Sequence, residues 1–550
     1  MGENKLKRER GLIDGFLGFV ERVGNLLPHP VMLFAYLALF TILLSGIGAH
    51  FDWSVVDPRP ESAPGRSPDG MVRVESLMSG EGLRRITTEL VNNFVKFAPL
   101  GTVLVALLGV GVAEHSGLIS AAIRLLILGA PKFLVTAALV FAGVVSNTAS
   151  EIGYVVIVPL GAAIYFSLNR HPLAGLAAAF AGVSGGYSAN LLLGTIDPLL
   201  SGITSKAAES FDPSYVTNPV SPACNLYFMM VSTFVVTALG TFVSMFIVEP
   251  RLGNYSASEG DQNELAEQNK MDALTDLEKR GLIATAISIA GLTLVLLYLC
   301  VPIGAFEHWL GVELKILPWL GALAEPVAGK STPSFLTGIV ALIFVGFLIP
   351  GIVYGAVVGT IRKDIDVLNS MSKSMSSMGM YIVLVFFAAQ FVEFFNWSNL
   401  GTLLAIKGGE LVRYLKLDNP LIFVFFIFLC AVVNLFMGSA SAKWTFMAPI
   451  FVPMMMDIGY SPEVVQLAYR IGDSCTNVIA PAMSYFGMIF VFALKYKRDY
   501  RLGSLISLML PYSIVFFIGW TLFFYLWVFL LGFPIGPMAP IVYPASPAGV

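Results

Sequence analysis

Stretches of apolar residues long enough to cross a bilayer recur along this chain, and two of its regions are each broken twice by small and hydrogen-bonding residues. The first region carries Ser146-Asn147-Thr148-Ala149-Ser150-Glu151, followed by Gly185-Gly186-Tyr187-Ser188-Ala189-Asn190 and Thr195-Ile196-Asp197-Pro198. The second carries Gly438-Ser439-Ala440-Ser441-Ala442-Lys443-Trp444, followed by Arg470-Ile471-Gly472-Asp473-Ser474-Cys475-Thr476-Asn477. Irregular backbone at membrane depth persists only where it is buried in protein or lines a cavity, so paired interruptions in two halves of a chain point to a transport site. The pattern reads as a secondary transporter.

Composition supports the membrane reading. Of 550 residues, 56% are hydrophobic and 13% charged, against about a quarter charged in ordinary soluble domains. A crossing helix needs about 20 apolar residues. Charge-poor runs of that order lie near 31–49, 97–113, 133–150, 152–169, 172–196, 219–248, 281–306, 331–361, 374–392, 418–442 and 502–531. Gly, Pro and Ser cut several of them short. The expectation is therefore an all-α polytopic membrane protein with roughly nine spans, two re-entrant helical hairpins and an inverted structural repeat.

Charge placement sets the expected orientation. Lys5, Lys7, Arg8 and Arg10 precede the first span, and Arg362, Lys363 and Lys373 form a second basic cluster. Lys495, Lys497, Arg498 and Arg501 form a third. Placed in the cytoplasm by the positive-inside rule, they put the N-terminus inside and the uncharged Pro534 to Pro547 tail outside. Opposite ends require an odd number of crossings. No cleavable signal peptide is expected, because the apolar region starting near Val31 runs a full membrane width, and Gly11 to Asn25 reads as an interfacial helix.

The organisation expected is a cytoplasmic or interfacial segment 1–30, a first membrane half 31–248, a cytoplasmic linker 249–280, a second half 281–531 and an external tail 532–550. The polar stretch from about His50 to Arg85 reads as an external loop. Cys224, Cys300, Cys430 and Cys475 are scattered in apolar sequence and resemble neither a disulfide framework nor a metal site.

Five charged residues fall at membrane depth: Glu151, Asp197, Lys443, Arg470 and Asp473. Each costs about 2.5 to 3.5 kcal/mol at a helix centre on insertion scales and needs a reason to be there. Arg470 and Asp473, three apart, are expected to share a helix face and partly neutralise each other, either as a structural pair or as part of a transport site. Asp197 before Pro198 and Asp473 after Gly472 are expected to flank backbone that leaves regular helix. Freed carbonyls with Ser, Thr and Asn oxygens suit a hard cation, and a carboxylate there can instead take a proton. Ser146, Asn147, Ser150, Asn190, Ser439 and Asn477 are the candidate sodium ligands. Helix capping remains the competing reading for each. Arg470 can hold a substrate carboxylate or sulfonyl oxygen pair, and Trp444 can stack on an aromatic ring or simply pack.

Other classes fit poorly. Ala324-Glu325-Pro326-Val327-Ala328-Gly329-Lys330-Ser331 matches a permissive phosphate-loop pattern, but a Pro-rich connector precedes it where a strand is needed. The five histidines form no zinc pattern, no protease constellation is evident, and no basic patch interleaved with aromatics suggests nucleic acid. Neither an enzyme nor a cofactor is expected.

The chain resembles the p-aminobenzoyl-glutamate transporter (AbgT) family over nearly its whole length. The resemblance rests on Gly24-Asn25, Pro28-His29-Pro30, Phe97-Ala98-Pro99-Leu100-Gly101, His171-Pro172 with Ala174-Gly175-Leu176, Ser188-Ala189-Asn190 and Ala389-Gln390-Phe391. It continues through Phe395-Asn396-Trp397-Ser398-Asn399, Ala448-Pro449-Ile450-Phe451-Val452-Pro453 and Tyr469-Arg470-Ile471-Gly472-Asp473-Ser474. Ser146-Asn147-Thr148 is similar to the ion-site motif of the wider ion-transporter superfamily. The resemblance implies a bowl-shaped homodimer in the bacterial inner membrane, each protomer with nine transmembrane helices and two hairpins tipped by Ser146 to Glu151 and Gly438 to Trp444. It places functional positions on Asp197, Ser441, Trp444, Pro462, Arg470, Asp473 and Pro481. It implies a small-molecule substrate, p-aminobenzoyl-glutamate or sulfonamide antimetabolites, with sodium or proton as coupling ion. Both hairpin motifs look closer to the exporter-like branch. A carrier for another aromatic or dicarboxylate anion is the alternative.

Overall fold

In a bilayer every backbone polar group must be satisfied within the protein, which for an apolar chain of this kind means helices. A computed structural model describes residues 30–57, 67–128, 131, 134–149, 152–255, 274–300, 319, 321–326, 333–416, 419–481, 483 and 485–543. The interfacial helix expected at Gly11 to Asn25, most of the phosphate-loop-like string, and Ser150 and Glu151 lie outside the described residues.

Helix α1 (Pro30–His50) leads through an antiparallel pair, β1 (Ser54–Val56) and β2 (Met71–Arg73), to α2 (Gly80–Val95) and α3 (Ala98–His115). After α4 (Leu118–Leu128) comes a helical hairpin of α5 (Val135–Ser146) and α6 (Ile152–Ser167), with a 3-10 turn at Asn147–Ala149. Next, α7 (Pro172–Phe180) widens into a π-helical turn, Ala181–Gly185, and leaves helical structure over 186–195 before α8 (Ile196–Glu209). The chain continues as α9 (Leu226–Leu252), α10 (Asp276–Cys300), α11 (Ile339–Val358), α12 (Asp364–Ser377), α13 (Gly379–Trp397) and α14 (Leu400–Tyr414). A second hairpin, α15 (Ile422–Phe436) and α16 (Ala440–Asp457), precedes α17 (Pro462–Asn477), a non-helical stretch at 478–481, 483 and 485, α18 (Phe486–Tyr496) and α19 (Leu502–Leu530).

Seven stretches among the described residues are long and apolar enough to cross a membrane: α1, α2 with α3, α9, α10, α11, α13 and α19. By contrast α5, α6, α7 with its π turn, α15 and α18 are apolar but short. Twelve residues of α5 rise about 18 Å against a hydrocarbon core of about 30 Å. The interrupted sequence thus folds into short apolar helices alongside the long ones. The start of α2 corrects one boundary: the polar stretch expected as loop to Arg85 becomes helix at Gly80, where Ser79 accepts a hydrogen bond from the Gly82 amide at 3.0 Å.

The short elements pack against one another and against the buried helices. The hairpin α5/α6 lies against α7 and its π turn, α15 lies against α17, and α16 runs between α8 and α14. All sixteen residues of α17 are buried. Close approach requires glycine: a Cβ on Gly472 would sit 2.4 Å from the Ile427 carbonyl of α15, and one on Gly182 would sit 2.4 Å from that of Val140 on α5. At the other extreme α10 leaves Ile283, Ile287, Leu294 and Leu297 exposed, as a helix facing lipid does.

Candidate transport site

The buried helix α17 is not apolar. Gln466, Arg470, Asp473 and Asn477 recur at three- and four-residue intervals and so form a polar stripe along one face. Arg470 uses this face to reach the first broken helix. Its Nη1 donates to Asp197 Oδ1 at 2.7 Å and its Nη2 to the Ser188 carbonyl at 2.9 Å. Asp197 lies in the first turn of α8, where its other oxygen accepts the Gly194 amide at 2.7 Å. The expected departure from helix beside Asp197 is present, since the non-helical run 186–195 ends there.

Asp473 takes a different partner. Its carboxylate pairs with Lys443 in the first turn of α16, both side chains being about 1% exposed. Lys443 also donates to Asn434 Oδ1 near the end of α15. The Asn434 amide in turn donates to the Asp473 carbonyl at 2.7 Å, to Asn477 Oδ1 at 2.7 Å and to Thr476 Oγ1 at 3.0 Å. The second hairpin is thus fastened across its own tip and onto α17.

Two expectations are corrected by this arrangement. Arg470 and Asp473 do not neutralise each other, because each finds an oppositely charged partner on a neighbouring element, and burial of all four groups rewards those closer contacts. Nor does helix stop beside Asp473. It passes through Gly472 as far as Asn477, since Gly472 serves the approach of α15 rather than a turn.

Trp444, one residue beyond Lys443, is fully buried and stacks on Tyr469 of α17 with centroids 4.4 Å apart and planes at 25°. Its indole N–H donates to Thr204 Oγ1 at 2.8 Å, Thr204 donates to Gln466 Oε1 at 2.6 Å, and Gln466 Nε2 donates to Asn225 Oδ1 at 2.8 Å. Ser439 caps α16 by accepting the Ala442 amide at 3.3 Å, and its hydroxyl lies 3.2 Å from that of Ser441. Pro462 occupies the first turn of α17, behind the capping Ser461, and Pro481 lies in the break after it. The two prolines shape backbone rather than supply polar atoms.

The breaks of the two halves touch. Asn147, in the first hairpin's 3-10 turn, donates to the Val183 carbonyl at 2.8 Å, while Asn477 donates to the adjacent Ser184 carbonyl at 3.4 Å. The Ser188 amide donates to Ser474 Oγ at 3.2 Å. Ser146 turns back onto the Gly143 carbonyl at 2.6 Å. Asn190 is 2% exposed, and neither its side-chain oxygen nor its nitrogen has a hydrogen-bond partner; the Thr148 hydroxyl is likewise buried and unpaired. Buried polar groups in this condition are uncommon and suit a place where a ligand or water is received. Sequence reasoning missed Asn434, Thr204, Gln466, Tyr469 and Asn225. Asn434 was findable as the lone amide in the otherwise apolar run of α15, and Gln466 by its spacing from Arg470.

Two interrupted helices thus meet at buried ion pairs, each flanked by a hairpin. The ABG_transport family model, that of the AbgT transporters, matches residues 15–543. The chain belongs to the AbgT family. This AbgT protein is a multi-pass membrane transporter and not an enzyme. It is 36% identical over 521 residues to the p-aminobenzoyl-glutamate transport protein of Escherichia coli (strain K12), with 94% of this chain and 96% of that one covered. It is similar in structure to MtrF of Neisseria gonorrhoeae, described as illuminating a class of antimetabolite efflux pumps, with TM-score 0.86, 51% identity and coverage of 96% of this chain and 100% of MtrF. The YdaH transporter of Alcanivorax borkumensis, described as having an unusual topology, gives TM-score 0.80 at 38% identity, with coverage of 93% and 100%. Identity is thus higher with the efflux protein than with the Escherichia coli protein, in line with the exporter-like resemblance of the hairpin motifs.

Proposed function

We propose that this AbgT protein is a cation-coupled secondary active transporter of p-aminobenzoyl-glutamate and related p-aminobenzoyl compounds, and that it exports sulfonamide antimetabolites by alternating access. One observation carries the reading: Arg470–Asp197 and Lys443–Asp473 pin the crossing of two broken helices, each pair joining a different hairpin or half to α17. A substrate anion that takes Arg470 from Asp197 leaves a buried carboxylate, which a proton or a cation must then cover, and this links substrate to the coupling ion. A p-aminobenzoyl compound brings a ring and carboxylates, a sulfonamide a ring and sulfonyl oxygens. Arg470 suits the oxygens and the Trp444–Tyr469 stack suits the ring.

In this reading Asp197, Ser441, Trp444, Arg470 and Asp473 handle substrate, with Pro462 and Pro481 fixing the ends of α17. Asn147, Asn190 and Asn477, with Ser146, Ser150 and Ser439, receive the coupling cation where it is sodium. The order hairpin, broken helix recurs in both halves and supports an inverted repeat. Positive residues between α11 and α12 and between α18 and α19 support cytoplasmic placement of those loops, hence an external C-terminus. The assembly is a homodimer in the bacterial inner membrane.

The test is uptake of labelled p-aminobenzoyl-glutamate into proteoliposomes under an imposed sodium or proton gradient, with sulfonamides and succinate-like anions as competitors. Gradient-driven accumulation blocked by sulfonamide is the expected result. Competition by succinate alone transfers the assignment to dicarboxylates, and equilibration without accumulation under either gradient rejects cation coupling.

A further inference from the structure

Three carboxylates are buried along the crossed helices. Asp197 is paired with Arg470 and Asp473 with Lys443, but among the described residues Glu463 has no cation beside it. Glu463 lies in the first turn of α17, is 6% exposed, and its Oε2 has no hydrogen-bond partner. Asn225 donates to its backbone carbonyl at 3.0 Å, not to its carboxylate. The titratable groups within electrostatic reach are Tyr215, on the short turn Pro213–Val216, and Cys224, just ahead of α9. Tyr543 and Asp212, hydrogen-bonded to each other at 2.8 Å, face Tyr215 in turn. The nearest positive charge on its own helix, Arg470, is two turns away and engaged with Asp197.

Above Glu463 the C-terminal strap closes the helix end. The Ser461 amide donates to the Ile541 carbonyl at 3.1 Å, Ser461 Oγ donates to the Pro540 carbonyl, and the Tyr543 amide donates to the Gly459 carbonyl at 2.9 Å. The start of α17, with Glu463 in its first turn, is therefore covered by residues 540–543, of which Pro540 is exposed.

We infer that Glu463 is the proton-binding group of this transporter, holding its proton in the conformation described here and releasing it to water when the strap and the end of α17 part. The O–H bond breaks, the proton passes to water, and the carboxylate left behind is stable only while hydrated. An unpaired carboxylate left in a dry site is strongly disfavoured, and holding a proton avoids that penalty. Reclosure requires reprotonation. Because α17 also carries Arg470 and Asp473, and because Gln466 ties its first turns to Thr204 and Trp444, the protonation state is coupled to the substrate site. The inference rests on the proposed transport only in requiring that α17 move during the cycle.

Wild type, Glu463→Gln and Glu463→Asp are compared in proteoliposomes by exchange of labelled p-aminobenzoyl-glutamate without a gradient and by accumulation under a pH gradient. In detergent the same proteins are compared by infrared difference spectroscopy as the pH is stepped. Expected are a carboxylic-acid C=O band in wild type that Glu463→Gln lacks, and a Glu463→Gln protein that still exchanges substrate but equilibrates it under a pH gradient. Glu463→Asp restores accumulation with a displaced pH profile. PH-driven accumulation by Glu463→Gln equal to that of wild type, or wild-type accumulation driven by sodium and indifferent to pH, overturns the inference while leaving the substrate reading intact. Failure of wild type to exchange rejects the substrate reading instead, and the infrared band then decides: its persistence in Glu463→Gln overturns the inference, its loss upholds it.

Discussion

Arg470 Nη1 and Asp197 Oδ1, from residues 273 positions apart in the chain, meet at 2.7 Å with side chains 1% and 5% exposed. The contact joins the two halves of the protein at the place where the first broken helix restarts. Both groups are removed from water, so the pair's worth lies less in net stability than in what its loss leaves behind. A separated partner is a charge in a dry interior.

Removing one partner is therefore costly and removing both is not. Arg470→Ala or Asp197→Asn alone should lower unfolding stability by about 3 to 5 kcal/mol, the range for breaking a buried pair. Arg470→Met combined with Asp197→Leu should recover most of that stability while transport stays absent. Thermal unfolding in detergent alongside substrate exchange checks the two readouts. Transport in the double variant at the wild-type rate would reduce the pair to a structural role.

Asn434 should be nearly as sensitive, because one side-chain amide serves three acceptors and its oxygen receives Lys443. Asn434→Leu leaves Asn477 Oδ1 without its donor and the Lys443 ammonium with Asp473 alone, at about 1 to 3 kcal/mol for each buried group stranded. The loosened element is the second hairpin. Hydrogen exchange at Ser439 to Lys443 should accelerate, with the first hairpin at Ser146 to Thr148 unaffected.

Much of this site was legible in the chain, for a physical reason. Charged residues in apolar sequence are expensive, so Asp197, Lys443, Arg470 and Asp473 announced themselves, and the small-residue clusters beside them marked the helix ends at Asn147 and Ser439. Partner choice was not legible. Helical spacing brings Arg470 and Asp473 to one face, but it says nothing of Lys443 and Asp197 arriving from other elements at shorter range. Gly472 misled in the same way: glycine marks either a turn or a close approach, and only the position of Ile427 distinguishes them. Neutral connectors such as Thr204 and Asn225 carry no such cost signal, which is why they were invisible until the helices were in place.

The close approach at Gly472 makes a sharp test of packing. A methyl group there would stand 2.4 Å from the Ile427 carbonyl oxygen and 2.6 Å from Cys430 Cβ. Gly472→Ala should push α15 from α17 at about 1 to 3 kcal/mol, the usual cost of overpacking. Since α15 carries Asn434, the shift should also weaken transport more than an alanine at Gly487, where an added Cβ meets no heavy atom within 4 Å. Equal exchange rates for the two variants would show that the approach of α15 is not needed for function.

Trp444 combines two separable contacts, a stack on Tyr469 and a hydrogen bond to Thr204, and substitutions can divide them. Trp444→Phe keeps a ring against Tyr469 but leaves the Thr204 oxygen without the indole donor; the loss should be about 1 kcal/mol. Thr204→Val removes that acceptor together with the donor to Gln466, strands two buried groups, and should cost more. If the ring face serves an aromatic substrate, Trp444→Phe should raise the apparent KM for p-aminobenzoyl-glutamate with little change in maximal rate, whereas Thr204→Val should lower the maximal rate by disturbing α8 against α17. Initial-rate measurements across substrate concentration separate the two. An unchanged KM in Trp444→Phe together with a lowered maximal rate would place Trp444 with Thr204 in the helix-to-helix fastening and take it out of substrate contact.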